Sequence, residues 1–329
     1  MPSPRQPLPD DTPSPMVEVA AGVIPDEAGR VLIAKRPAHA HQGDLWEFPG
    51  GKLEPGETAE QALRRELKEE LDIEVEAASP LIGIRHAYPD RLVRLSVWRV
   101  ERFSGIPRGA QGQPLRWVAP DRLPGFPFPA ANRPIITAAR LGDRYAIVNV
   151  ESDHSAPVRD RLARLAAAGI VWVRLRPHGI DDPRYRSLAE RAIEFGRPLG
   201  LRLLLGGDPD WVRRTGAAGL HLRAEQLREL RGRPLDASFW VAASCHDRAE
   251  LRQAERIGAD FAVLGPVRPT ASHPGAVPLG WAGFASLVEE AALPVFALGG
   301  LWPADLDEAK RRGGQGVAAI RGFLDEFAP

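Results

Sequence analysis

Apolar residues follow two different arrangements along the chain and divide it into two parts. In the first part, strand-like segments such as Val17–Ile24 and the alternating stretch Leu92–Phe103 surround one highly charged helical segment. After Leu141–Arg144, short apolar runs alternate regularly with amphipathic helical stretches. Such alternation predicts parallel strands covered by helices, whereas the first part is typical of a mixed sheet flanked by helices. We therefore predict an α/β protein with domains at 16–141 and 145–329.

The first part contains five strand-like segments and predicts an α/β/α sandwich. A turn at Asp26–Gly29 follows the first segment, so we expect the first two to form a hairpin. A helix at Pro134–Leu141 should close this domain. The five segments are Val17–Ile24, Val31–Ala34, Ile82–Ala87, Leu92–Phe103 and Leu115–Val118.

The second part contains eight strand-like segments, with helical stretches such as Val158–Ala168, Arg184–Leu199 and Phe284–Ala291 between them. Eight strand–helix units predict a small (β/α)8 TIM barrel, in which phosphate often binds after strands seven and eight. The eight segments are Tyr145–Val150, Val171–Leu175, Leu201–Leu205, Gly219–Leu222, Phe239–Ala243, Phe261–Leu264, Pro294–Leu298 and Gly316–Ala319.

Composition excludes several classes of protein. The formal net charge is zero and the sequence pI is about 7.1, which argues against a partner such as a nucleic acid polymer. The only cysteine is Cys245, which fits a reducing, cytoplasmic location. No apolar run approaches the ~20 residues of a membrane span. The Pro-rich residues 1–15 are expected to be a disordered tail.

The charged helix carries acidic residues where a solvated helix would not have them. Thr58 and Gln61 form a capping-box pattern at its start. At ~100° per residue, Glu66 and Glu70 fall inside the face formed by the apolar residues. Because buried carboxylates need a partner or a ligand, this face predicts a divalent cation site, with Mg²⁺ expected and Mn²⁺ as the alternative. We expect Glu66, Glu69 and Glu70 to turn toward the protein body.

Residues 51–73 resemble the Nudix box, because six positions match its fixed residues. These are Gly51, Glu57, Arg65, Glu66, Glu69 and Glu70. Asp72 stands where the box usually has glycine. We expect Asp72 to end the helix in a left-handed conformation, which Asp tolerates better than most residues.

Within the Nudix family, residues 17–141 are similar to the MutT-type diphosphatases. The similarity includes the segments Lys35–His41, Trp46–Lys52, Tyr88–Arg91 and Phe128–Pro134. It implies a small-molecule nucleoside triphosphate substrate. MutT-type proteins hydrolyse 8-oxo-dGTP to 8-oxo-dGMP and pyrophosphate, which keeps oxidised guanine out of DNA.

The MutT resemblance implies a role for each residue of the site. The metal would be held by Glu66, Glu69, Glu70 and the Gly50 carbonyl. Arg65 would orient Glu66 or a neighbouring acid, Asn132 would read the purine edge, and Arg36, Phe48 and Arg91 would line the nucleotide pocket. The residues alone leave other readings open, in which Asn132 is a turn residue, Phe48 belongs to the core, and Arg36 and Arg91 are solvated charges. His39 and His41 are expected to be loop residues.

One position departs from the MutT pattern in a way that affects the chemistry. MutT relatives have a glutamate, a metal ligand and proposed base, before a Gly-Gln-Pro segment, and this chain has Gln111 there. An amide can bind a metal through oxygen but cannot accept a proton. We therefore expect Glu69 or Glu70 to act as the base, at a reduced rate.

The second part resembles the thiamine phosphate synthase and TenI group. The resemblance rests on Val173–Arg176, Gly219–Leu222, Gly265–Thr270 and Ala297–Gly300. It implies a phosphorylated ligand, with the phosphate bound by Thr270, Gly299 and Gly300.

Both acidic metal ligands of the synthase are missing from this chain. Gly206–Gly207 replaces its Asn-Asp pair and Gln226 replaces its Asp, with Asp208 one position away as a weak substitute. We expect a barrel that does not run the synthase reaction. A TenI-like thiazole tautomerase would need His246 or His221 as its base.

Three functions remain open from the sequence. The first is an oxidised-purine nucleoside triphosphate diphosphatase. The second is a Nudix diphosphatase for another nucleotide. The third is a nucleotide or thiazole-phosphate sensor without turnover. The complete acidic box favours an enzyme, whereas Gln111 and the altered barrel favour the sensor.

Overall fold

A computed structural model of the chain describes residues 16–38, 42–88, 91–151, 155–270 and 275–325. The predicted tail and both His39 and His41 lie outside these ranges. The strands of the first part are β1 (Met16–Val23), β2 (Val31–Lys35), β3 (Trp46–Glu47), β4 (Gly50–Lys52), β5 (Glu74–Ala87), β6 (Leu92–Ser104) and β7 (Leu115–Val118). Its helices are α1 (Ala59–Leu71) and α2 (Arg133–Arg140).

The first part is built on two sheets, one mixed and one antiparallel. The mixed sheet has the order β4-β1-β6-β5, with β1 and β6 parallel, and the antiparallel sheet has the order β3-β2-β7. The expected hairpin of the first two strands is confirmed only at its closed end, where the Asp26 N–H donates to the Arg30 carbonyl and the Leu32 N–H donates to the Ile24 carbonyl around the antiparallel bridge of Pro25 and Val31. Beyond it, β1 and β2 separate into different sheets.

The strand before β6 is longer than its sequence predicts. The prediction begins at Ile82, whereas β5 begins at Glu74 and pairs with β6 along its length. Register shifts occur between Val75 and Ala77 and again after Pro80. Such bulges break the alternation of apolar and polar residues on which strand prediction depends.

All eight predicted strands of the second part are confirmed, and they close into one parallel barrel. The strands are β8 (Arg144–Val150), β9 (Trp172–Pro177), β10 (Arg202–Leu205), β11 (Gly219–Leu222), β12 (Trp240–Cys245), β13 (Phe261–Leu264), β14 (Val295–Leu298) and β15 (Gly316–Ala319). The helices are α3 (Ser155–Ala167), α4 (Asp182–Gly196), α5 (Pro209–Thr215), α6 (Ala224–Glu229), α7 (Arg248–Arg256), α8 (Gly280–Val288), α9 (Leu306–Arg311) and α10 (Gly322–Asp325).

Large aromatic side chains fill the centre of the barrel. Tyr145, Phe261 and Phe296 are fully buried and contact one another, and Trp172 packs edge-on against Trp240 in the same cluster. A second apolar layer lies between the strands and the surrounding helices. Because the interior is packed, ligands must bind at an end of the barrel, and in this fold that is the carboxyl end of the strands.

Helix α1 starts and ends as its sequence predicts. The Thr58 hydroxyl accepts from the Gln61 backbone N–H, and the Gln61 side chain accepts from the Thr58 backbone N–H. Asp72 ends the helix in the left-handed conformation, with φ 57° and ψ 38°. Arg108 and Lys68 both bond the Asp72 carboxylate, at 2.8 and 3.1 Å, which fixes that end of the helix.

No helix within the described ranges has both the length and the apolar character needed to cross a lipid bilayer.

Candidate functional site

Six of the predicted site residues line a single cavity in the first part. The cavity has a volume of about 430 Å³ and lies beside β1, the Gly50–Lys52 strand and the start of α2. Backbone and side-chain groups of very different chemistry meet there. The predicted residues that line it are Arg36, Phe48, Gly50, Glu70, Arg91 and Asn132.

Arg65 organises the Gly-rich loop around the start of α1. Its guanidinium forms two parallel bonds to the Glu57 carboxylate, at 2.8 and 2.9 Å, and a third bond to Glu66 at 2.9 Å. It also donates to the Lys52 carbonyl at 3.0 Å. Arg65 holds the pKa of Glu57 down to about 2, so Glu57 remains charged. The result is a rigid pair that fixes both the loop and the Glu66 carboxylate.

Glu66 is held against the backbone of Gly51. Only 16% of its side chain is exposed. A Cβ atom on Gly51 would lie 2.2 Å from the Glu66 Cδ atom, a separation that no real contact allows. The glycine at this position therefore leaves the space that the carboxylate occupies.

Glu70 is the carboxylate of the cavity whose pKa is strongly raised. It accepts the Gly50 N–H at 3.2 Å. Burial, together with the nearby negative charge of Glu47, raises the pKa of Glu70 to about 7. Burial and neighbouring carboxylates disfavour the ionised form of this carboxyl group, and a bound cation would stabilise that form. The raised pKa therefore fits the predicted metal site.

Glu47 is a candidate that the sequence analysis did not single out. It lines the same cavity, and its carboxylate pairs with the Arg36 guanidinium. Burial raises the pKa of Glu47, although Arg36 opposes that shift. Its position two residues after Leu45 and directly before Phe48 gave the only signal, a charge within an apolar segment.

Glu69 does not turn toward the protein body as expected. Its side chain is 55% exposed and its carboxylate lies 3.6 Å from Arg65. Accordingly, no cluster of three or more His, Cys, Asp or Glu side chains in the described part of the chain is close enough to hold a metal. Glu66, which lies against Gly51, and Glu70, which accepts from the Gly50 N–H, remain the oxygen donors that fit a hard divalent cation.

The recognition side of the cavity is formed by an amide and stacked rings. Asn132 begins α2, but its side chain makes no capping bond there, so the helix end does not occupy the amide. Phe48 is 3% exposed and stacks on Phe128 with 5.4 Å between ring centroids. Phe48 therefore belongs to the core and lines the cavity at the same time.

Gln111 is exposed on a loop that is tied to the end of α1. Its own N–H donates to the Gln113 side chain, and Gln113 donates to the Glu70 carbonyl at 2.9 Å. Gln111 does not line the cavity. The loop is nevertheless anchored close to Glu70 in the fold.

The carboxyl end of the barrel has two adjoining cavities, of about 220 and 240 Å³. The second is lined by Thr270, Gly299 and Gly300, the three residues predicted to bind phosphate. Both glycines have positive φ, at 104° and 64°, a conformation that favours glycine.

The acidic substitute proposed for the barrel is used elsewhere. Asp208 accepts from the Asp210 N–H at the start of α5 and is exposed. Gln226 accepts from the Arg223 N–H and donates to the Gly207 carbonyl, so it connects two loops. His221 is fully buried and bonded, whereas His246 lines the first cavity and bonds the buried Glu250.

Comparison with known proteins assigns both parts of the chain. The family described as NUDIX domain matches residues 20–138, and the family described as Thiamine monophosphate synthase matches residues 144–323. The chain therefore belongs to the Nudix family through its first part and to the thiamine monophosphate synthase and TenI family through its second.

Curated relatives resemble each part separately. An 8-oxo-dGTP diphosphatase of Escherichia coli (strain K12) is 42% identical over 36% of this chain and 93% of its own length. A CTP pyrophosphohydrolase of the same organism is 38% identical over 37% of this chain and 90% of its own length. A thiamine-phosphate synthase of Herpetosiphon aurantiacus is 28% identical over 56% of this chain and 90% of its own length.

Proposed function

We propose that residues 16–141 form a Mg²⁺-dependent diphosphatase that hydrolyses 8-oxo-dGTP to 8-oxo-dGMP and pyrophosphate. The observation that carries this proposal is that Glu70, Asn132 and Phe48 line one cavity. A partly buried acid for the phosphate chemistry, an amide for a purine edge and a stacked ring for a base thus face the same space. The 42% identity to an 8-oxo-dGTP diphosphatase supports the same substrate.

In the proposed mechanism, Glu66 and Glu70 would hold the cation, and Glu69 at the rim would have to turn inward to complete the set. When bound, the cation supplies neutralisation of phosphate charge and a lowered pKa for the attacking water. Arg65 keeps Glu66 in position through its bonds to Glu57 and Glu66. A water oxygen bonds to phosphorus, the anhydride P–O bond breaks, and the proton of the water passes to a carboxylate, Glu69 or Glu70.

Asn132 provides the test of substrate choice. Asn132→Ala should reduce kcat/KM for 8-oxo-dGTP by about tenfold or more, because a lost amide pair costs about 1–3 kcal/mol. Hydrolysis of dGTP and CTP should change much less. A panel of nucleoside triphosphates with pyrophosphate detection measures both. Equal losses on every substrate, or wild-type preference for CTP, would favour the second candidate, a pyrimidine nucleotide diphosphatase, which the 38% identity to a CTP pyrophosphohydrolase supports.

Gln111 offers a gain-of-function test. We expect Gln111→Glu to raise kcat, because a carboxylate can accept a proton whereas an amide cannot. Gln111 is exposed, so the change should leave the melting temperature unaltered. An unchanged kcat would show that a glutamate at this position takes no part in the reaction.

The raised pKa of Glu70 predicts that cation binding depends on pH. Its folded-state pKa is about 7 and its usual value is 4.5, so the metal-free fold is increasingly destabilised as pH rises from 4.5 through 7, where folded Glu70 ionises. A bound cation should reverse this loss and displace the proton. Below pH 7, the Mg²⁺ concentration that gives half-maximal stabilisation should rise by about tenfold for each unit by which the pH falls, because Mg²⁺ must displace the Glu70 proton. Thermal-shift titrations at pH 6 and 8 measure this, and Glu70→Gln should remove the difference.

For residues 145–329 we propose a barrel that binds a phosphorylated compound at Thr270, Gly299 and Gly300 without running the synthase reaction. Neither Gly206–Gly207 nor Gln226 offers a carboxylate for the metal that the synthase reaction needs. A tautomerase would have to use His246, which lines the first cavity and bonds Glu250, because His221 is fully enclosed by its bonds to other side chains.

A further inference from the structure

Helix α2 is shared between the nucleotide cavity and the barrel. Asn132 stands at its start and, with Ile135 in its first turn, lines the cavity of the first part. Its last residue, Arg140, and the next residue, Leu141, contact the barrel. Its eight residues span about 12 Å. One short helix therefore connects the residue proposed to read the base with the second part of the chain.

The end of α2 is docked at the amino end of the barrel strands. Leu141 is 6% exposed and belongs to the aromatic cluster that fills the barrel, together with Trp172 and Trp240. The Arg140 guanidinium lies over the Trp240 ring, with 4.5 Å between its Cζ atom and the ring centroid. Because Trp172 and Trp240 are the first residues of β9 and β12, this contact lies at the opposite end of the barrel from its two cavities.

Gln315 is a buried amide of the barrel that bonds this helix end. It directly precedes β15 and is 3% exposed. Its Nε2 atom donates to the Ala138 and Gly142 carbonyls, both at 3.2 Å. The Ala138 carbonyl is one of the last four of α2, for which the helix itself supplies no N–H group. The barrel therefore supplies a cap for the helix.

The orientation of the Gln315 amide is set by the helix end and not by the barrel. If the amide were turned over, its oxygen would face two carbonyl oxygens and its nitrogen would lose both acceptors. In the observed orientation, Oε1 has no partner among the described residues, and a buried polar atom without a partner is destabilising. An amide that bonds only the helix end indicates a connection that holds α2 in one position.

An ion pair holds the same end of the helix through Asp121. The Arg140 Nε atom lies 3.5 Å from the Asp121 carboxylate, and Arg202 of β10 bonds that carboxylate at 2.6 Å. The Arg202 Cζ atom lies 5.3 Å from the centroid of the Trp172 ring. Contacts from β10, from β12 and from the residue before β15 therefore act on one end of α2, directly or through Asp121.

We propose that the barrel is a positioning element of the nucleotide cavity, in which Gln315 and the docked end of α2 hold Asn132 in place against the bound base. The inference rests on the function proposed for residues 16–141. Gln315 does not line the nucleotide cavity, so it is a positioning residue that acts through α2. Because Asn132 reads the base and not the reacting phosphate, a loosened α2 should weaken substrate binding more than it slows the chemical step.

Gln315→Met tests the proposal on the full chain, with Gln253→Met as its matched control. Gln253 is another buried amide of the barrel, 8% exposed, whose Nε2 atom also donates to two backbone carbonyls, those of Leu227 and Leu230. Both variants lose two such bonds, so both should have a lower melting temperature. Only Gln315→Met should raise KM for 8-oxo-dGTP, by about fivefold or more, while kcat stays within about twofold in both.

A double-mutant cycle tests whether Gln315 acts through Asn132. In the Asn132→Ala background, Gln315→Met should change KM for 8-oxo-dGTP by less than about twofold, because the side chain that it positions is gone. Arg140→Gln is a second variant, at a partly exposed residue that contacts Trp240. It should raise KM in the same way, and it keeps the proposal testable if Gln315→Met does not fold.

Three results would overturn the proposal. They are a KM that both Gln315→Met and Arg140→Gln leave unchanged, an equal rise in KM for Gln253→Met, and effects of Gln315→Met and Asn132→Ala that multiply. The proposed function is judged separately, on the wild type alone. A wild type that prefers another nucleotide, or hydrolyses none, refutes that function, and the variants are then compared by KM for the preferred nucleotide or by Kd for 8-oxo-dGTP.

Discussion

Glu70→Gln should lower kcat for nucleoside triphosphate hydrolysis by at least about 10²-fold, the scale on which removal of one preorganised electrostatic group acts. The amide oxygen can still accept the Gly50 N–H, which lies 3.2 Å from the carboxylate. The substitution therefore removes the charge and keeps the shape. Since the charged form is the one disfavoured by burial, the variant should be as stable as the wild type or more so without added cation.

Glu60→Gln is a matched control on the same helix. Glu60 lies in the first turn of α1, 42% of its side chain is exposed, and it pairs with Arg64. Glu60→Gln removes the same charge from the same helix, but Glu60 does not line the cavity. We therefore expect kcat to stay within about twofold of the wild-type value, as for most surface changes. Steady-state pyrophosphate release compares the three proteins. If both variants lose activity equally, charge on the helix as a whole matters and the assignment of Glu70 is wrong.

Local sequence signals predicted α1 in detail. The bonds of Thr58 and Gln61 and the left-handed conformation of Asp72 involve residues at most four positions apart. The helical period alone placed Glu66 on the buried side, where its side chain is 16% exposed. The eight strands of the barrel could also be predicted from the sequence, because each of them is a short apolar run bounded by polar loops. Where neighbours along the chain decide the structure, the sequence is sufficient.

Long-range contacts account for what the sequence did not predict. Whether β2 pairs with β1 or with β7 depends on which distant strand is available, and the turn at Asp26–Gly29 is compatible with both. Glu47 gains its raised pKa from burial that only the folded cavity supplies. The exposure of Glu69 depends on which carboxylates Arg65 bonds. Arg65 bonds Glu57 at 2.8 Å and Glu66 at 2.9 Å, whereas Glu69 lies 3.6 Å away.

In the barrel, the sequence predicts the fold but not all of the chemistry. Loss of two acids predicted that synthase chemistry is absent, but the sequence does not show which side chains the closed barrel buries. Arg174 is an example, because its strand position is clear in the sequence while its burial beside Ser244 is not. Three arginines from β9 and from the loop after β11 converge only because the barrel closes.

Gly51→Ala should disable the site through a single methyl group. The new Cβ would lie 2.2 Å from the Glu66 Cδ and 2.3 Å from one of its oxygens. Glu66 must therefore move, and its bond to Arg65 must lengthen or break. Displacement of a reacting group by about 1 Å can cost about 10²-fold in rate. Stability should change much less, because the atoms that the new Cβ meets are the far end of the flexible Glu66 side chain.

Gly83→Ala is the control, because Gly83 lies on β5 with no atom within 4 Å of the added Cβ and with an ordinary φ. This substitution should keep full activity and leave stability unchanged or raise it by about 0.5–1 kcal/mol, since alanine is less costly than glycine to order in a strand. Melting temperature and kcat are measured for both variants. A Gly51→Ala protein with wild-type kcat would mean that the carboxylate of Glu66 need not stand against the loop backbone, and the metal set proposed from Glu66 and Glu70 would have to be abandoned.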